Sequence, residues 1–452
     1  MNYDIKVGFS RVIINPPMGT EIRGYYKERF VEGVLDDLQI NAIAVNKGDK
    51  TILIMTVDNC SIKREYLEIV RKQIEAETGV AADAIFIQAV HSHTAPYIGL
   101  ENEAKTEQSK EYSSYCKRMF VNAAVLAIQD LEDAKMGWAI GKAERVAFLR
   151  RYRMKDGSVK TNPGVNNPEI DYPIGEVDER VNVVRFTRRD GRNIVLANFA
   201  NHPDTVGGCK VSADWPGFTR RIVERALDNT DCLFLNGAQG DVNHVNTFPK
   251  GGDWNDLKED FDDVSRGYGH AHHVGSVVAG AVLQVFDKVK YTDVDEIKYL
   301  QKEVSIPSNM PKPEDMAQAH YIWDMHNAGK DDELPYENML LTTFVAEACR
   351  MVELEHGPEA FDLLFSSLAI GPVAFIGFPG EPFSVIGIET KKAEGWELVC
   401  PACLTNGANG YFPSMSAYDE GGYEARASRF KAGVAEKMIE EGKILLGELK
   451  KA

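Results

Sequence analysis

Two histidines separated by one serine directly follow a short apolar segment, and their spacing suits the binding of a metal. Segment 85–90 reads IFIQAV and precedes His91 and His93. An apolar run of this length is typical of a buried strand, in which residues two apart point to the same face. Two imidazoles on one side could bind a metal ion, but two ligands do not complete a zinc site. The motif therefore leaves open a pair of hydrogen-bonded core histidines.

Two further segments with the pattern of strands also end in residues that could do chemistry. Segment 193–200 leads directly into a loop that carries His202, and segment 373–378 leads into a turn that carries Glu381. Histidine and glutamate are both metal ligands and acid–base groups. Each strand-like segment thus has a reactive side chain just beyond its end.

Two other features could bind an anion or a carbonyl group. Loop 236–244 is rich in glycine and follows a strand-like segment, so that it could direct backbone N–H groups at an anion or oxyanion. Three arginines occur within four positions, Arg150, Arg151 and Arg153, and could bind an anionic or carbonyl-bearing substrate. A solvent-exposed charge cluster is the simpler interpretation of the three arginines.

The elements that would position these residues follow from the apolar pattern. Strands over 38–46 and 51–57 flank a polar turn, and an amphipathic helix over 61–78 then precedes strand 85–90. Together these segments predict a β-α-β unit. Further helices are predicted by the same pattern over 112–131, 216–227, 270–289 and 427–450.

The most polar part of the chain carries two more predicted helices, over 315–328 and 337–355. We interpret the surrounding segment, 310–357, as a helical insertion or lid. No internal repeat, low-complexity tract or linker interrupts the sequence. Residues 1–452 are therefore predicted to form a single domain.

The composition argues against several classes of protein. Hydrophobic residues make up 44% and charged residues 26%, which is ordinary for a globular protein with a large core. The net charge of −17 disfavours binding to nucleic acid and docking on anionic lipid. No apolar run reaches the roughly 18 residues that a membrane span needs, and no secretory signal is evident. Seven scattered cysteines, an odd number, fit reduced thiols, so we expect a cytoplasmic protein.

Six short motifs are spread over nearly the whole chain. They are AVHSHTAP at 89–96, NHP at 201–203, SADWPG at 212–217, GDVN at 240–243, GE at 380–381, and NGY at 409–411 with GYE at 422–424. In this order and at this spacing they resemble the catalytic domain of the neutral (non-lysosomal) ceramidase family. The resemblance implies an α/β fold with a mixed central β-sheet flanked by helices. We do not expect the family's immunoglobulin-like C-terminal domain, because no strand-rich segment follows the last predicted helix.

The resemblance also implies a zinc site. The Zn²⁺ ligands would be His91, His202, Glu381 and Tyr411. Nitrogen and oxygen ligands suit zinc, and a hydrolytic site keeps one position for water. By the same resemblance, three further side chains would line the site as proton donors, proton acceptors or carbonyl-binding groups: His93, Arg150 and Tyr423.

The sequence departs from the family at one functional position. Neutral ceramidases carry a serine in the loop after Gly-Asp-Val, whereas this chain carries Asn243, followed by His244. A serine-nucleophile mechanism is therefore not expected. A zinc-bound water, with its pKa lowered to roughly 7, can attack an amide carbonyl without a serine. Asn243 could instead donate a hydrogen bond to the substrate or to an oxyanion.

These features predict a zinc-dependent hydrolase of linear amide C–N bonds. Its substrate would be a small N-acylated molecule that is more polar than ceramide, because the acidic chain has no basic amphipathic helix for docking on a membrane. Three alternatives stay open: a metal-dependent lyase that removes a proton beside a carbonyl, ceramide hydrolysis itself, and a non-catalytic metal-binding protein. Nothing in the sequence indicates the oligomeric state.

Overall fold

The computed structural model describes residues 3–250 and 267–452. Its strands, in chain order, are β1 (Ile5–Ile13), β2 (Glu21–Ile22), β3 (Arg29–Phe30), β4 (Gly33–Val34), β5 (Gln39–Lys47), β6 (Lys50–Val57), β7 (Ile85–Ala89), β8 (Glu132–Lys142), β9 (Phe148–Leu149), β10 (Arg151–Met154), β11 (Val159–Thr161), β12 (Ile170–Pro173), β13 (Arg180–Arg188), β14 (Asn193–Phe199), β15 (Lys210–Val211), β16 (Thr230–Asn236), β17 (Val242–Asn243), β18 (Lys290–Thr292), β19 (Ile297–Pro307), β20 (Ala360–Ile370), β21 (Val373–Gly377), β22 (Glu381–Pro382), β23 (Leu398–Ala402) and β24 (Tyr411–Phe412).

The helices vary widely in length. They are α1 (Arg64–Thr78), α2 (Glu107–Gln129), α3 (Asp214–Ala226), α4 (Tyr268–Val285), α5 (Met316–Asn327), α6 (Asn338–Leu354), α7 (Ser384–Thr390), α8 (Met415–Glu420), α9 (Tyr423–Ala427) and α10 (Val434–Lys451). None of the described helices has the length and apolar character needed to cross a membrane.

Nine strands form one mixed sheet that is the centre of the molecule. Their spatial order is β16-β14-β13-β8-β1-β5-β6-β7, and β18 pairs with β8. The parallel pairs are β14 with β16 and β6 with β7, one at each end of the sheet. Strands β6 and β7 are buried over most of their length, which explains why they read as continuous apolar runs. The predicted α/β class with a mixed sheet flanked by helices is confirmed.

A second sheet of four strands, β19-β20-β21-β23, packs under helix α10. A buried glutamine joins it to the nine-stranded sheet. The side-chain nitrogen of Gln88 in β7 donates to the backbone oxygens of Asn236 at 2.6 Å and Cys403 at 2.9 Å. The ends of β7 and β16 and the segment after β23 therefore meet, and several loops that carry candidate site residues start from this region.

Most of the predicted elements are present, but several helix boundaries differ: α2 begins at Glu107 and not at residue 112, and the largest difference is in the last helix. Strands β5 and β6 form the predicted hairpin, and β6, α1 and β7 form the predicted β-α-β unit. The last helix was predicted to begin at residue 427 but begins at Val434. Between these positions Phe430 is buried and pairs with Ser308 in an isolated bridge, while Gly433 has a φ of 98°. These contacts take the backbone out of the helical conformation.

A buried ion pair ties α3 to the end of β6. Asp58 accepts hydrogen bonds from both terminal nitrogens of Arg220, at 2.9 and 2.6 Å, and from the backbone nitrogen of Gln39 at 2.9 Å. Both charged side chains are almost fully buried. Removing one partner of such a pair leaves a buried charge without compensation. The pair therefore fixes α3 against the sheet edge that carries His91.

We expect Arg220→Gln to lower the free energy of unfolding by about 3–5 kcal/mol, because Asp58 loses its counter-charge. Arg225 lies on the same helix but is exposed. The matched change Arg225→Gln should shift stability by less than about 0.5 kcal/mol. Urea denaturation followed by circular dichroism measures both effects. Equal unfolding midpoints for the two variants would show that the ion pair does not stabilise the fold.

Candidate metal centre and active site

Three buried side chains from separate loops bring their acceptor atoms together. The Nε2 atoms of His91 and His202 lie 3.2 Å apart, and Oε2 of Glu381 lies 3.1 Å from the first and 3.3 Å from the second. Burial opposes the ionisation of Glu381, but the two imidazoles hold the pKa of its carboxyl well below its usual range. Two imidazoles and one carboxylate at this separation form a donor set that suits zinc.

The position of His91 depends on a local turn of the backbone. Strand β7 ends at Ala89, and His91 has a φ of 81°, in the left-handed region. Its N–H donates to the carbonyl of Asn59 at 2.8 Å. The prediction that His91 and His93 share a face because they lie on one strand is therefore wrong, since both lie beyond the end of β7. Their rings nevertheless meet, with the Nε2 atoms 3.1 Å apart.

Contacts between loops hold the other two members of the group. The N–H of His202 donates to the carbonyl of Val242 at 3.2 Å, so the loop after β14 rests on the loop after β16. Glu381 begins β22, in which it pairs with Tyr411 of the parallel strand β24. A Cβ at Gly240 would lie 2.5 Å from the carbonyl oxygen of Glu381. The close approach of these segments therefore requires glycine at position 240.

The hydrogen bonds of the two imidazoles indicate that a cation fits between them. Nδ1 of His91 faces the carbonyl of Cys60 at 2.8 Å, and Nδ1 of His202 faces the carbonyl of Gln239 at 2.9 Å. Since a carbonyl can only accept, each Nδ1 carries a proton, and each Nε2 faces the other ring and Glu381. Burial opposes protonation of His91, but the carboxylate of Glu381 raises the pKa of His91 well above its ordinary value, so the group attracts a cation. A proton could satisfy one of these contacts, whereas a divalent metal ion satisfies all three. The residues present therefore fit a zinc ion.

A second group of potential ligands shares one residue with the first. It consists of Cys60, His91 and His93. The thiol of Cys60 lies 3.8 Å from Nδ1 of His91, but that nitrogen already donates to the Cys60 carbonyl. The second group would therefore have to use Nε2 of His91, the same atom that the first group uses.

Tyr411 lies beside the first group. Its ring stacks on that of His202, with the centroids 6.5 Å apart, and its hydroxyl interacts with Arg150. Burial, together with the charge of Glu381, raises the pKa of Tyr411 well above its ordinary value. The hydroxyl therefore keeps its proton unless a cation lies next to it. Tyr411 is a candidate fourth ligand whose ionisation would depend on the metal.

His93 separates the histidine group from an adjoining cavity. Its Nδ1 lies 3.6 Å from Oδ1 of Asp204, which also accepts a hydrogen bond from the hydroxyl of Tyr25. Gly24, with a φ of 117°, packs so closely that a Cβ there would lie 3.0 Å from the His93 ring. Burial lowers the pKa of His93 to about 3. The ring is therefore neutral at neutral pH.

Arg150 is held in a single orientation beside this group. Its Nε pairs with Oε1 of Glu424 at 2.6 Å, and its Nη2 donates to the carbonyl of Gly240 at 2.6 Å. Its remaining nitrogen, Nη1, lies 3.5 Å from Nε2 of His202. The two fixed nitrogens thus direct the third toward the histidine group.

Tyr423 completes this side of the site. Its ring meets that of Tyr411 edge to face, with the centroids 5.6 Å apart, and lies 5.9 Å from the guanidinium carbon of Arg150. Burial raises the pKa of Tyr423 to about 12, so its hydroxyl can donate a hydrogen bond at neutral pH. Tyr26, from the aromatic loop near the start of the chain, interacts with this hydroxyl.

The other two arginines of the cluster have partners within the protein. Arg151 and Arg153 both pair with Glu420, at 3.0 and 2.9 Å. Among the described residues that line the cavity, Arg150 is the one member of the cluster. The idea that the whole cluster binds an anionic substrate is therefore wrong for Arg151 and Arg153.

The glycine-rich loop does not form the anion-binding cradle that its sequence suggested. The N–H of Gly240 donates to the carbonyl of Pro382 at 2.8 Å, and that of Val242 donates to the carbonyl of Gln239 at 2.9 Å. Both groups are thus used in holding the loop, and they are not directed at a ligand.

Asn243 lines the cavity with a side chain that is already engaged. Its nitrogen donates to Oδ1 of Asn162 at 3.1 Å, and its oxygen accepts from the backbone nitrogen of Val245 at 3.0 Å. The amide nitrogen carries a second hydrogen that can be offered to a substrate. Asn243 can therefore orient a substrate but has no nucleophilic atom.

The cavity beside the histidine group has a volume of about 440 Å³. Five of the predicted site residues line it: His93, Arg150, Asn243, Tyr411 and Tyr423. Other lining residues were not predicted, and five of them carry aromatic or titratable side chains that could contact a substrate: Tyr25, Tyr26, Asp204, His326 and Asp331. Asp204 could have been found, because it follows the NHP motif. The other four reach the cavity through long-range folding that no local motif indicates.

Comparison with known proteins supports the fold. No family model and no curated protein matches the sequence. Among solved structures, the chain is similar to the neutral ceramidase from Pseudomonas aeruginosa, with a TM-score of 0.73 and 13% identity over 99% of this chain and 75% of that chain. A ceramidase complexed with C2 has a TM-score of 0.71 and 12% identity, with the same coverage of 99% and 75%. The predicted fold of the neutral ceramidase catalytic domain is confirmed.

We expect His202→Ala to lose most of its bound zinc, because one of three converging ligands is removed. The control is His320→Ala, since His320 is a half-exposed histidine paired with Glu355 on the protein surface. The control should retain as much zinc as the unaltered protein. Elemental analysis after zinc loading and dialysis measures the content of each protein. Full zinc occupancy in a natively folded His202→Ala protein would contradict the assignment.

Proposed function

We propose that this protein is a zinc-dependent hydrolase that cleaves the N-acyl amide bond of a small molecule more polar than ceramide. The ion would be held by His91, His202 and Glu381, with Tyr411 as the fourth ligand. Bound zinc lowers the pKa of water to roughly 7 and polarises a carbonyl oxygen. The observation that carries the proposal is the set of three buried acceptor atoms that face one another beside a cavity.

The fold supports hydrolysis of an amide bond over the alternatives. The two similar solved structures described above are ceramidases. Fold alone does not determine the reaction. The proposal therefore also depends on the side chains around the cavity, which have the chemical character that amide hydrolysis requires.

Three side chains would act directly on the substrate. Nη1 of Arg150 and the hydroxyl of Tyr423 would donate hydrogen bonds to the carbonyl oxygen, where negative charge develops. His93 would accept a proton from the attacking water and return it to the leaving amine. Because Glu424 and the Gly240 carbonyl already hold Arg150 in place, little reorganisation would be needed during the reaction.

The cavity supports direct attack by water. None of the described residues that line it is a serine or a cysteine. Its two threonines have partners: Thr161 donates its hydroxyl to Glu424 at 3.3 Å, and Thr342 donates to the carbonyl of Asn338 at 3.5 Å. Ser92, which lies between the two histidines of the first motif, donates its hydroxyl to the carbonyl of Ser212 at 2.6 Å. Asn243 has no nucleophilic atom. We therefore propose that no acyl-enzyme forms.

Charges on the cavity wall favour a polar substrate. Lys27, Asp204 and Asp331 line the cavity, and the net charge of −17 opposes approach to an anionic membrane. A two-tailed lipid would have to leave the bilayer and desolvate these charged groups with apolar chains, which is costly. A compound with hydroxyl or charged groups can instead form hydrogen bonds with them.

Tyr423→Phe should keep its zinc and lower kcat/KM by about 10²-fold or more, because the carbonyl oxygen loses a hydrogen bond that strengthens as charge develops. Asn243→Ala should cause a smaller loss, since Asn243 would contribute orientation alone. Steady-state kinetics on a confirmed substrate, with the zinc content measured in parallel, distinguish the two variants. Unchanged turnover by Tyr423→Phe would remove this residue from the mechanism.

The zinc-loaded protein should hydrolyse N-acylated amino acids or N-acylated amino sugars with a higher kcat/KM than detergent-dispersed ceramide. Mass spectrometry should detect a free carboxylate and a free amine in equal amounts. An unsaturated product would identify a lyase and would contradict the proposed hydrolysis. A kcat/KM for ceramide that is tenfold higher or more, about 1.4 kcal/mol in the barrier, would contradict the polar substrate.

A further inference from the structure

The aliphatic part of the cavity lining comes almost entirely from one helix. Met339, Leu341 and Val345 of α6 line the cavity, and Val245 is the one other aliphatic residue among the described residues around it. The rest of the described lining is aromatic, polar, charged or glycine. The favourable free energy of burying an apolar group is roughly proportional to the apolar area removed from water. An acyl chain would therefore bind along α6.

Helix α6 forms a fixed wall for this part of the cavity. It packs on α5 through a small hydrophobic cluster to which Val345 contributes. Arg350 donates from Nε to the carbonyl of Arg426 at 2.9 Å, and Glu347 pairs with the Arg426 side chain at 2.7 Å. Arg426 belongs to α9, the helix that begins with Tyr423. The apolar wall and a proposed catalytic tyrosine are thus held together.

The volume of the cavity limits the size of a bound substrate. At about 440 Å³, it lies toward the lower end of the roughly 300–1,000 Å³ that is typical of pockets for a drug-sized ligand. A ceramide, which has two long chains, exceeds a ligand of that size and would leave much of its apolar surface in water. An amide with a polar amine portion and one short acyl chain matches the cavity better.

We infer that α6 restricts the substrate to N-acylated compounds with a single short acyl chain, and that Leu341 sets the limit. This inference rests on the proposed function and specifies the substrate of the same site. Leu341 is half-buried, lines the cavity and also packs against the cluster between α5 and α6, whereas its neighbour Leu340 is 54% exposed and lies outside the lining. The two leucines therefore form a matched pair for substitution.

Leu341→Trp tests the inference, because the larger side chain fills the space assigned to the acyl chain. The measured quantity is kcat/KM for an N-hexanoyl compound divided by that for the N-acetyl compound of the same amine. This ratio should fall by about tenfold or more in Leu341→Trp and stay within about twofold in Leu340→Trp. Measuring both substrates on one preparation cancels differences in folding and zinc content. An unchanged ratio in Leu341→Trp would overturn the inference.

Leu341→Ala provides a second variant that enlarges the same space. It should raise the kcat/KM for an N-dodecanoyl compound relative to the N-hexanoyl compound, since the longer chain gains room. The matched change Leu340→Ala should leave this relative rate unaltered. Equal relative rates in the two alanine variants would count against Leu341 as the residue that sets the limit.

Binding of free carboxylic acids separates the inference from the proposed reaction, because binding needs no turnover. In calorimetric titrations of the zinc-loaded protein, Kd should fall about fourfold for each methylene from acetate to hexanoate. It should not fall further between decanoate and palmitate. Continued tightening up to palmitate would overturn the inference whether or not amides are hydrolysed. If Kd stops falling beyond decanoate and no N-acyl compound is hydrolysed, the limit on acyl-chain length is supported. That result would overturn the proposed function alone.

Discussion

Three buried side-chain atoms that lie within hydrogen-bond distance of one another are the constraint on which the rest of this structure depends. Nε2 of His91, Nε2 of His202 and Oε2 of Glu381 lie within 3.3 Å of one another. Burial opposes protonation of His91, but the carboxylate of Glu381 raises the pKa of His91 well above its ordinary value, so the group attracts a cation, and the surrounding protein holds the three side chains in place. Backbone carbonyls fix both imidazole tautomers, and the pairing of Glu381 with Tyr411 positions the carboxylate.

The scaffold brings these loops together by polar contacts that are themselves buried. Gln88 links the ends of β7 and β16 to the segment after β23. Asp214, in a motif that does not reach the cavity, accepts hydrogen bonds from the backbone nitrogens of Thr205 and Val206, each at 2.9 Å. It thereby fixes the loop that follows His202. Buried polar groups satisfied in this way specify one arrangement of the loops, which is what a metal site requires.

Local patterns in the sequence predicted the strands that lead to the candidate ligands, but neither the long strands β8 and β19 nor the contacts between distant segments. His91, His202 and Glu381 could be recognised because each follows an apolar run. The partner of Arg151 could not, since Glu420 lies 269 residues away. The turn at His91 also escaped prediction, because a positive φ at a histidine depends on its contact with Asn59. The ligand set itself came from the family resemblance and not from spacing.

The central claim is that a metal ion occupies the space between the three acceptor atoms. Anomalous diffraction at the zinc absorption edge, from crystals of the zinc-loaded protein, tests it most directly. The account predicts one strong anomalous peak at about 2.0–2.2 Å from Nε2 of His91, Nε2 of His202 and an oxygen of Glu381. A structure in which those three atoms keep their mutual hydrogen-bond distances, with no anomalous peak between them, would show that a proton holds the group together and would contradict the account.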